Sequence, residues 1–347
     1  MISSLPSSRI PDPLHAPPLR WGILAPGGIA GAMVDALRAH TRQVVVAVGS
    51  RSPQRAEAFA TIKGIPRAYG SYEQLVSDPE VDIVYVASPH SEHAAHAMLA
   101  LQAGKATLVE KAFTRNWVEA KEVVAAARAA RRPVMEAIMT RQTPALDVVK
   151  QLVEGGALGT VDTIIADHGQ NLTHVARVVR PELAGGALLD LGIYCVQLAV
   201  FLGGMPNRVV AVGAITDTGV DAHIAIACDG FERLPHAMAS LQTGMLSTTP
   251  IRASIAGSEA RLELLGSFTN GGVGLRYVPV QGDVIERPVP AITGPMALCY
   301  EAAHFARLVA EGRLDSPIMP ADESVAIMGL LDEIRSQVGV VYPGESQ

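Results

Sequence analysis

Lysine is scarce, with five in 347 residues, at positions 63, 105, 111, 121 and 150. The net charge is -6, with no long basic run and no interleaving of basic and aromatic residues, which excludes a general nucleic-acid or anionic-membrane binder. Cysteine is scarcer still. Cys195, Cys228 and Cys299 lie far apart without paired spacing, so neither a disulfide framework nor a zinc site is indicated, and a cytoplasmic location is expected. The opening residues to Pro18 are rich in Ser and Pro and lack the charged start and apolar stretch of a signal peptide, so a flexible tail is expected over 1–18. No long apolar run is clean: the segment from Ala187 to Gly204 is broken by Asp190 and Gln197 and reads as a buried helix, not a membrane span. What the chain does have is 49% hydrophobic against 18% charged residues, enough for the cores of two soluble domains. The partner left by these exclusions is a small molecule.

The stretch from Trp21 to Ala32 organises the rest. An apolar run ends in Ala25-Pro26-Gly27-Gly28, and a helical pattern with Ile29, Met33, Val34 and Leu37 on one face follows at once, which predicts strand, tight turn and helix. Glycines there let the backbone approach a bulky anion, and a new helix offers it unpaired N–H groups and the positive end of its dipole. In the dinucleotide fingerprint G-x-G-x-x-G/A, Ala25 takes the first position, Gly27 the second and Ala30 the third. Turns of this kind also occur for purely structural reasons. The next strand, Gln43 to Val48, ends in Gly49-Ser50-Arg51, where an adenine ribose would lie. No acidic residue waits there for the 2'-hydroxyl of NAD. Ser50, Arg51 and, one turn later, Arg55 suit a 2'-phosphate instead, so NADP is expected over NAD; the alternative is that both arginines are solvated surface cations.

The first half alternates strands and helices to about residue 137, the pattern of a doubly wound parallel sheet whose ligands gather beyond the carboxyl ends of the strands. Those ends are Ala25 to Gly28, Ser50 and Arg51, Ser88-Pro89-His90 with His93, and Glu110-Lys111. One predicted strand, Ala106 to Val109, is flanked by two lysines: Lys111 follows it toward the cofactor edge, and Lys105 precedes it on the opposite, structural edge. Glu110 could anchor Lys111, or both could be surface charges. His90, His93 and His96 do not read as a metal site, because no third ligand of suitable spacing appears and the three fan around a helix. His90 and His93 are placed near the nicotinamide, and His96 at the surface or in packing.

The second half reads differently. Successive β-type segments between Arg208 and Leu265 predict a largely antiparallel open sheet, and two helices, Ala297 to Glu311 and Asp322 to Val338, close the chain. Within the apolar run from Gly185, Asp190 and Tyr194 are spaced i, i+4 and share a helix face. A tyrosine beside a lysine ammonium has its phenolate favoured and its pKa drawn down from about 10, a useful range for proton transfer. The plainer reading is that Asp190 caps a turn and Tyr194 is a satisfied core residue. Cys195 reads as an inert buried thiol.

From Leu19 to Tyr342 the chain resembles the glucose-fructose oxidoreductase and inositol dehydrogenase (Gfo/Idh/MocA) superfamily, in particular its NADP-dependent dihydrodiol and D-xylose dehydrogenase branch. The residues that carry the likeness are the loop at Gly22 to Ala30, the Ser50-Arg51 strand end, Tyr85 to His93, Gly104 to Lys111, Asn171 to Val175 and the motif from Gly185 to Tyr194. The resemblance implies Tyr194 as general acid/base, Lys111 supporting it, and Asp190 holding the arrangement or meeting substrate hydroxyls. It implies Arg141 and Asn171 as further substrate contacts, Arg51 and Arg55 as the 2'-phosphate clamp, and a homodimer through the C-terminal sheet. It also implies an α/β architecture: an NADP-binding Rossmann domain over 19–141 and an α+β substrate and dimerisation domain over 142–347, with the last helix able to pack back on the first.

Three departures from the family pattern stand out. Glu-Lys-Pro is Glu110-Lys111-Ala112 here, Ala25 replaces a glycine so that the phosphate turn is expected to differ slightly, and Gln142-Thr143 replace two phenylalanines. The last favours a polar, sugar-like substrate over an aromatic dihydrodiol. The expected reaction is hydride transfer from a secondary carbinol, foremost the anomeric carbon of an aldose such as D-xylose, to NADP+, with no metal. A trans-dihydrodiol or an enone-like substrate on the same fold, and an NADP-binding sensor without turnover, stand as the alternatives.

Overall fold

The computed structural model describes residues 2–345. The chain divides into two compact units, one built from residues 11–139 and 295–328, the other from residues up to 10, 140–294 and 329 onward. The helix-bearing return at 295–328 belongs to the nucleotide unit.

In the nucleotide unit the strands are β1 (Arg20–Leu24), β2 (Val44–Gly49), β3 (Arg67–Tyr69), β4 (Ile83–Val86), β5 (Ala106–Glu110) and β6 (Val134–Ala137). They lie in the order β3-β2-β1-β4-β5-β6, all parallel. The helices between them are α1 (Gly28–His40), α2 (Pro53–Lys63), α3 (Tyr72–Val76), α4 (His93–Gln102) and α5 (Trp117–Ala130). Their starts are set locally: Ser52, Ser71 and Asn116 each accept a hydrogen bond from the amide three residues on, satisfying a donor that the helix itself cannot. Trp21, Ile23, Val48, Ile83, Tyr85 and Leu108 are fully buried, as strands covered on both faces require.

The second unit holds α6 (Pro144–Glu154), β7 (Val161–Gly169), a π-helical turn at Leu188–Gly192 that runs into α7 (Ile193–Gly203), and β8 (Arg208–Ile215), β9 (Asp221–Asp229), β10 (Met238–Gly244), β11 (Ala253–Gly257), β12 (Ala260–Leu265), β13 (Gly274–Pro279) and β14 (Ile285–Arg287). The sheet order is β14-β13-β12-β11-β7-β10-β9-β8; β7 and β10 are parallel and every other pair is antiparallel. Side chains alternate: Ile164, Ala166, Ile224, Ile226, Ala239 and Leu241 are buried on one face, while Ile165, Val210, Val212 and Met238 are exposed on the other. The helical stretch Pro181–Gly203 is apolar enough for a membrane span, yet 94% of its most apolar window is buried in the protein, as expected for a core helix. Strands β13 and β14 were not anticipated, because residues 266–294 are dense in Gly and Pro and the strands are short. The chain closes with α8 (Leu298–Ala310) and α9 (Ala321–Val338).

The expected flexible tail is instead tied down. In the second unit, Arg9 donates from Nε and Nη2 to Asp147 at 2.9 and 2.7 Å, and Arg287 donates to the carbonyls of Leu5 and Pro6. In the nucleotide unit, Gln43 Nε2 donates to the Pro17 carbonyl at 2.7 Å and Ala16 is fully buried. A Pro-rich segment outside regular structure has carbonyls that no helix or ladder claims, and arginine and glutamine donors find them.

Candidate active site

Ala25 has φ of 69°, in the left-handed region where glycine is free and a Cβ costs about 1 kcal/mol or more. Ala25 thus sits where the family pattern has a glycine, in a conformation that glycine reaches freely. Gly27 forms the N-cap of α1 without any side-chain cap, no acidic residue occupies the first turn, and a Cβ built on Gly27 or Gly28 would meet nothing within 4 Å. The helix start is thus an open cradle of free N–H groups, which fits a diphosphate. Ile29 leaves the predicted core face and is 40% exposed beside this cradle, while Met33, Val34 and Leu37 are fully buried.

At the end of β2 the two arginines are exposed, as a phosphate clamp requires. Ser50 is not: it is buried, and its Oγ accepts from the Ser52 amide at 3.2 Å, so it shapes the turn and does not face a ligand. The Tyr72 phenol lies near both Arg51 and Arg55; burial raises its pKa, and the two guanidiniums oppose that rise. His96 packs edge-on against Tyr72 with ring centroids 4.6 Å apart, and its Nδ1 lies 2.9 Å from Ser88 Oγ.

Beyond β4 and β5, the loop Ser88-Pro89 and the segment Glu110-Lys111-Ala112 are braced from beneath. The Lys111–Ala112 peptide is cis. Glu110 accepts from the Tyr85 hydroxyl and, at 3.2 Å, from the Lys111 amide. Glu136 accepts from the Phe113 amide at 3.0 Å and from Ser324 Oγ at 3.1 Å. Glu301 on α8 is fully buried beside both carboxylates, with no donor to either oxygen among the described residues; burial first, and then those two neighbours, push it well above the usual carboxylate range. His93, expected at the nicotinamide, is buried with Nδ1 2.8 Å from the Ala112 carbonyl oxygen and Nε2 2.8 Å from that of Ser88. Both ring nitrogens are occupied by backbone, so the cofactor role is corrected to one of holding the two loops. His90 is buried edge-on against His93 at 5.5 Å, whereas Ser88 and Pro89 are partly exposed.

In the second unit the sequence motif gathers a polar cluster. Asp190 is buried and takes two hydrogen bonds from Arg177, at 2.8 and 3.3 Å. The Tyr194 ring meets His168 edge-on at 5.3 Å. His168, at the end of β7, has Nδ1 3.2 Å from the Leu191 carbonyl and Nε2 3.1 Å from Gln170 Nε2. The π-helical turn carries Asp190 into the helix of Tyr194, and such turns cluster at functional sites. Asp221 is fully buried; its Oδ2 accepts from the Leu188 amide at 2.6 Å and burial raises its pKa to about 6. Arg177, His168 and Asp221 had no signal in the sequence, since each reaches the motif through tertiary structure.

Two expected substrate contacts differ from each other. Asn171 is exposed, its Oδ1 accepting from Thr173 Oγ1 at 2.8 Å. Arg141 is 3% exposed, donates to the Gln197 carbonyl at 3.3 Å and stands 5.1 Å from the Phe201 ring centroid, so within this unit it is a core residue. Gln142 and Thr143 are also buried, which removes the force of the missing aromatic wall. The thiols are free and buried; burial pushes those of Cys228 and Cys299 up to about 12, and that of Cys195 up as well.

Residues 19–138 match the oxidoreductase family with an NAD-binding Rossmann fold, GFO_IDH_MocA, and residues 147–263 match the GFO/IDH/MocA C-terminal domain. A trans-1,2-dihydrobenzene-1,2-diol dehydrogenase from Homo sapiens is 37% identical over 343 residues, 95% of this chain and 99% of the relative. An aldose-aldose oxidoreductase from Caulobacter crescentus, solved with glycerol, superposes with a TM-score of 0.83 at 25% identity over 93% of this chain and 98% of the other. A 3-ketoreductase from Actinomadura kijaniata, solved with NADP and TDP-benzene, gives 0.81 at 26% identity over the same shares of the two chains.

Proposed function

This chain belongs to the GFO/IDH/MocA family of oxidoreductases, and we propose that it oxidises a secondary carbinol of a small vicinal diol with NADP+. The uncapped start of α1, with two exposed guanidiniums at the end of β2 and no carboxylate beside them, carries the cofactor part of this reading. Ala25, Gly27, Gly28 and Ile29 would surround the diphosphate, Arg51 and Arg55 the 2'-phosphate, and Ser88, Pro89 and His90 the nicotinamide side. When bound, the nicotinamide supplies the hydride acceptor.

The chain's own residues handle the proton and the substrate. Tyr194 takes the carbinol proton, and Asp190, oriented by Arg177, meets a neighbouring hydroxyl; Lys111, at the nucleotide edge of its own unit, is the cationic catalytic candidate. Vicinal hydroxyls are common to trans-dihydrodiols and to cyclic aldoses. The similarity to the human dehydrogenase favours the first, and that to the aldose oxidoreductase favours an aldose, for which we propose D-xylose or another sugar oxidised at its anomeric carbon. We assign the open sheet face bearing Ile165, Val210, Val212 and Met238 to a homodimer, testable by light scattering of the full chain.

The deciding experiment follows NADP+ reduction with a trans-dihydrodiol and a panel of aldoses, for the natural chain and Tyr194→Phe, with NAD+ as control. Turnover lost in the variant while NADP+ still binds is the expected result. Binding without turnover on any diol sinks the substrate assignment, and a preference for NAD+ sinks the cofactor assignment.

A further inference from the structure

The amino edge of the parallel sheet is the one that nucleotide chemistry leaves unused, yet it holds a cavity of about 390 Å³. That volume is in the range of small-molecule sites. Four cations, Lys105, Arg131, Arg132 and Arg313, line it against a single carboxylate, Asp82, in a chain whose net charge is -6. Asp82 offsets them only in part, because Arg20 also draws on both its oxygens, at 3.0 Å from Nε and 2.8 Å from Nη2. Among the described residues Arg131 and Arg132 have no ion-pair partner, and Arg313 has only Glu311, at 3.9 Å.

One of these cations is anchored at the cavity. Lys105 Nζ donates to the carbonyls of Asp78 and Val81 at 2.7 and 2.8 Å, which fixes the ammonium at the cavity and leaves one donor over. Burial lowers its pKa and the guanidiniums of Arg20 and Arg132 add to that, against Asp78 and Asp82. Arg132 lies across Gly104, with Nε and Nη2 within 4.0 Å of the place a Cβ would occupy. Leu19, Val81, Val309 and Leu314 supply apolar lining to the same cavity. Like charges gathered in a concave surface repel one another and focus a positive potential into it, so an incoming anion gains from all of them at once.

We propose that this cavity binds a small organic anion, its phosphate, sulfonate or carboxylate held by Arg132, Arg313 and Lys105 and its compact apolar body against the leucine and valine side chains. The site is separate from the nucleotide edge by the length of β5, about 17 Å at 3.3 Å per residue. Its ligand therefore binds together with NADP+, not in its place.

The test is calorimetric titration of the full chain with 1-naphthyl phosphate, with and without saturating NADP+, and with 1-naphthol and inorganic phosphate as separate arms. The expected result is one site per chain, unchanged by NADP+, at least tenfold tighter for the joined probe than for either half. Arg132→Gln combined with Arg313→Gln, both exposed and outside the nucleotide edge, is expected to weaken it at least tenfold while the thermal unfolding midpoint stays in place. Absence of binding, binding that survives the double variant, or displacement by NADP+ overturns the proposal.

Discussion

The Nδ1 of His93 lies 2.8 Å from the carbonyl oxygen of Ala112, the residue that follows Lys111. Its Nε2 lies as close to the Ser88 carbonyl, and a neutral imidazole has one N–H to share between them. Burial lowers this histidine to about 4, below its value of about 6.5 in an unfolded chain. A depressed basic group contributes stability that is complete above about pH 6.5 and is lost as the pH falls toward about 4. His93→Gln is expected to flatten that acid limb in thermal unfolding and to cost about 1–3 kcal/mol near neutrality through an unmet buried carbonyl. Its kcat should fall more than its affinity for NADP+; an unchanged kcat would mean that the clasp does not position Lys111.

Asp221 shows the opposite sign. Its folded pKa of about 6 exceeds the unfolded value of about 3.9, so its contribution is complete below about pH 4 and is lost as the pH rises through about 6. Asp221→Asn keeps an oxygen for the Leu188 amide and removes the titration. Relative to the natural chain, the variant should gain about 2–3 kcal/mol between about pH 4 and pH 7. Parallel denaturant titrations at the two pH values measure the difference, and equal gaps at both would show that Asp221 titrates normally.

Ala25→Gly removes the Cβ from a residue at φ of 69°. Relief of the left-handed penalty outweighs the added freedom of the unfolded chain, so a gain of about 0.5–1 kcal/mol is expected. NADP+ affinity should hold, since the peptide geometry is already that of glycine. A loss of stability would show that the natural turn differs in solution.

Replacing Arg51 and Arg55 together by Ser should weaken NADP+ about 10- to 100-fold, from two lost charge-assisted contacts, and leave NAD+ within about twofold. Titration of both nucleotides reads the ratio directly. Equal losses for the two would remove the 2'-phosphate from these arginines.

The parallel sheet was readable because each strand is an apolar run ending in a turn, and the run from Val44 to Gly49 needs no partner to declare itself buried. Lys105 and Lys111 fell on opposite edges for the same reason. The contacts that complete each cluster were not readable. Arg177 meets Asp190 from 13 residues away and Asp221 meets Leu188 from 33, distances at which periodicity carries no information. Arg141 was expected as a substrate contact from the resemblance alone; no spacing in the sequence announces the carbonyl and aromatic neighbours it has in the core. The opening residues were misjudged by composition, which reports weak helix and strand preference and says nothing of donors waiting elsewhere.

The second unit's sheet is seeded by a strand whose neighbours come late. β7 is its first strand in sequence, yet Thr243 on β10 bonds His168 across 75 residues, and Arg252, just before β11, reaches Asp167 across 85. The meander from β11 to β14 and the hairpin of β8 and β9 are local by contrast. Contact order of this kind slows folding, because loop closure must precede the contacts that reward it. As the chain leaves a ribosome, β7 must wait, edges bare, until some 80 further residues have followed it; aggregation during synthesis is a hazard of this half of the protein.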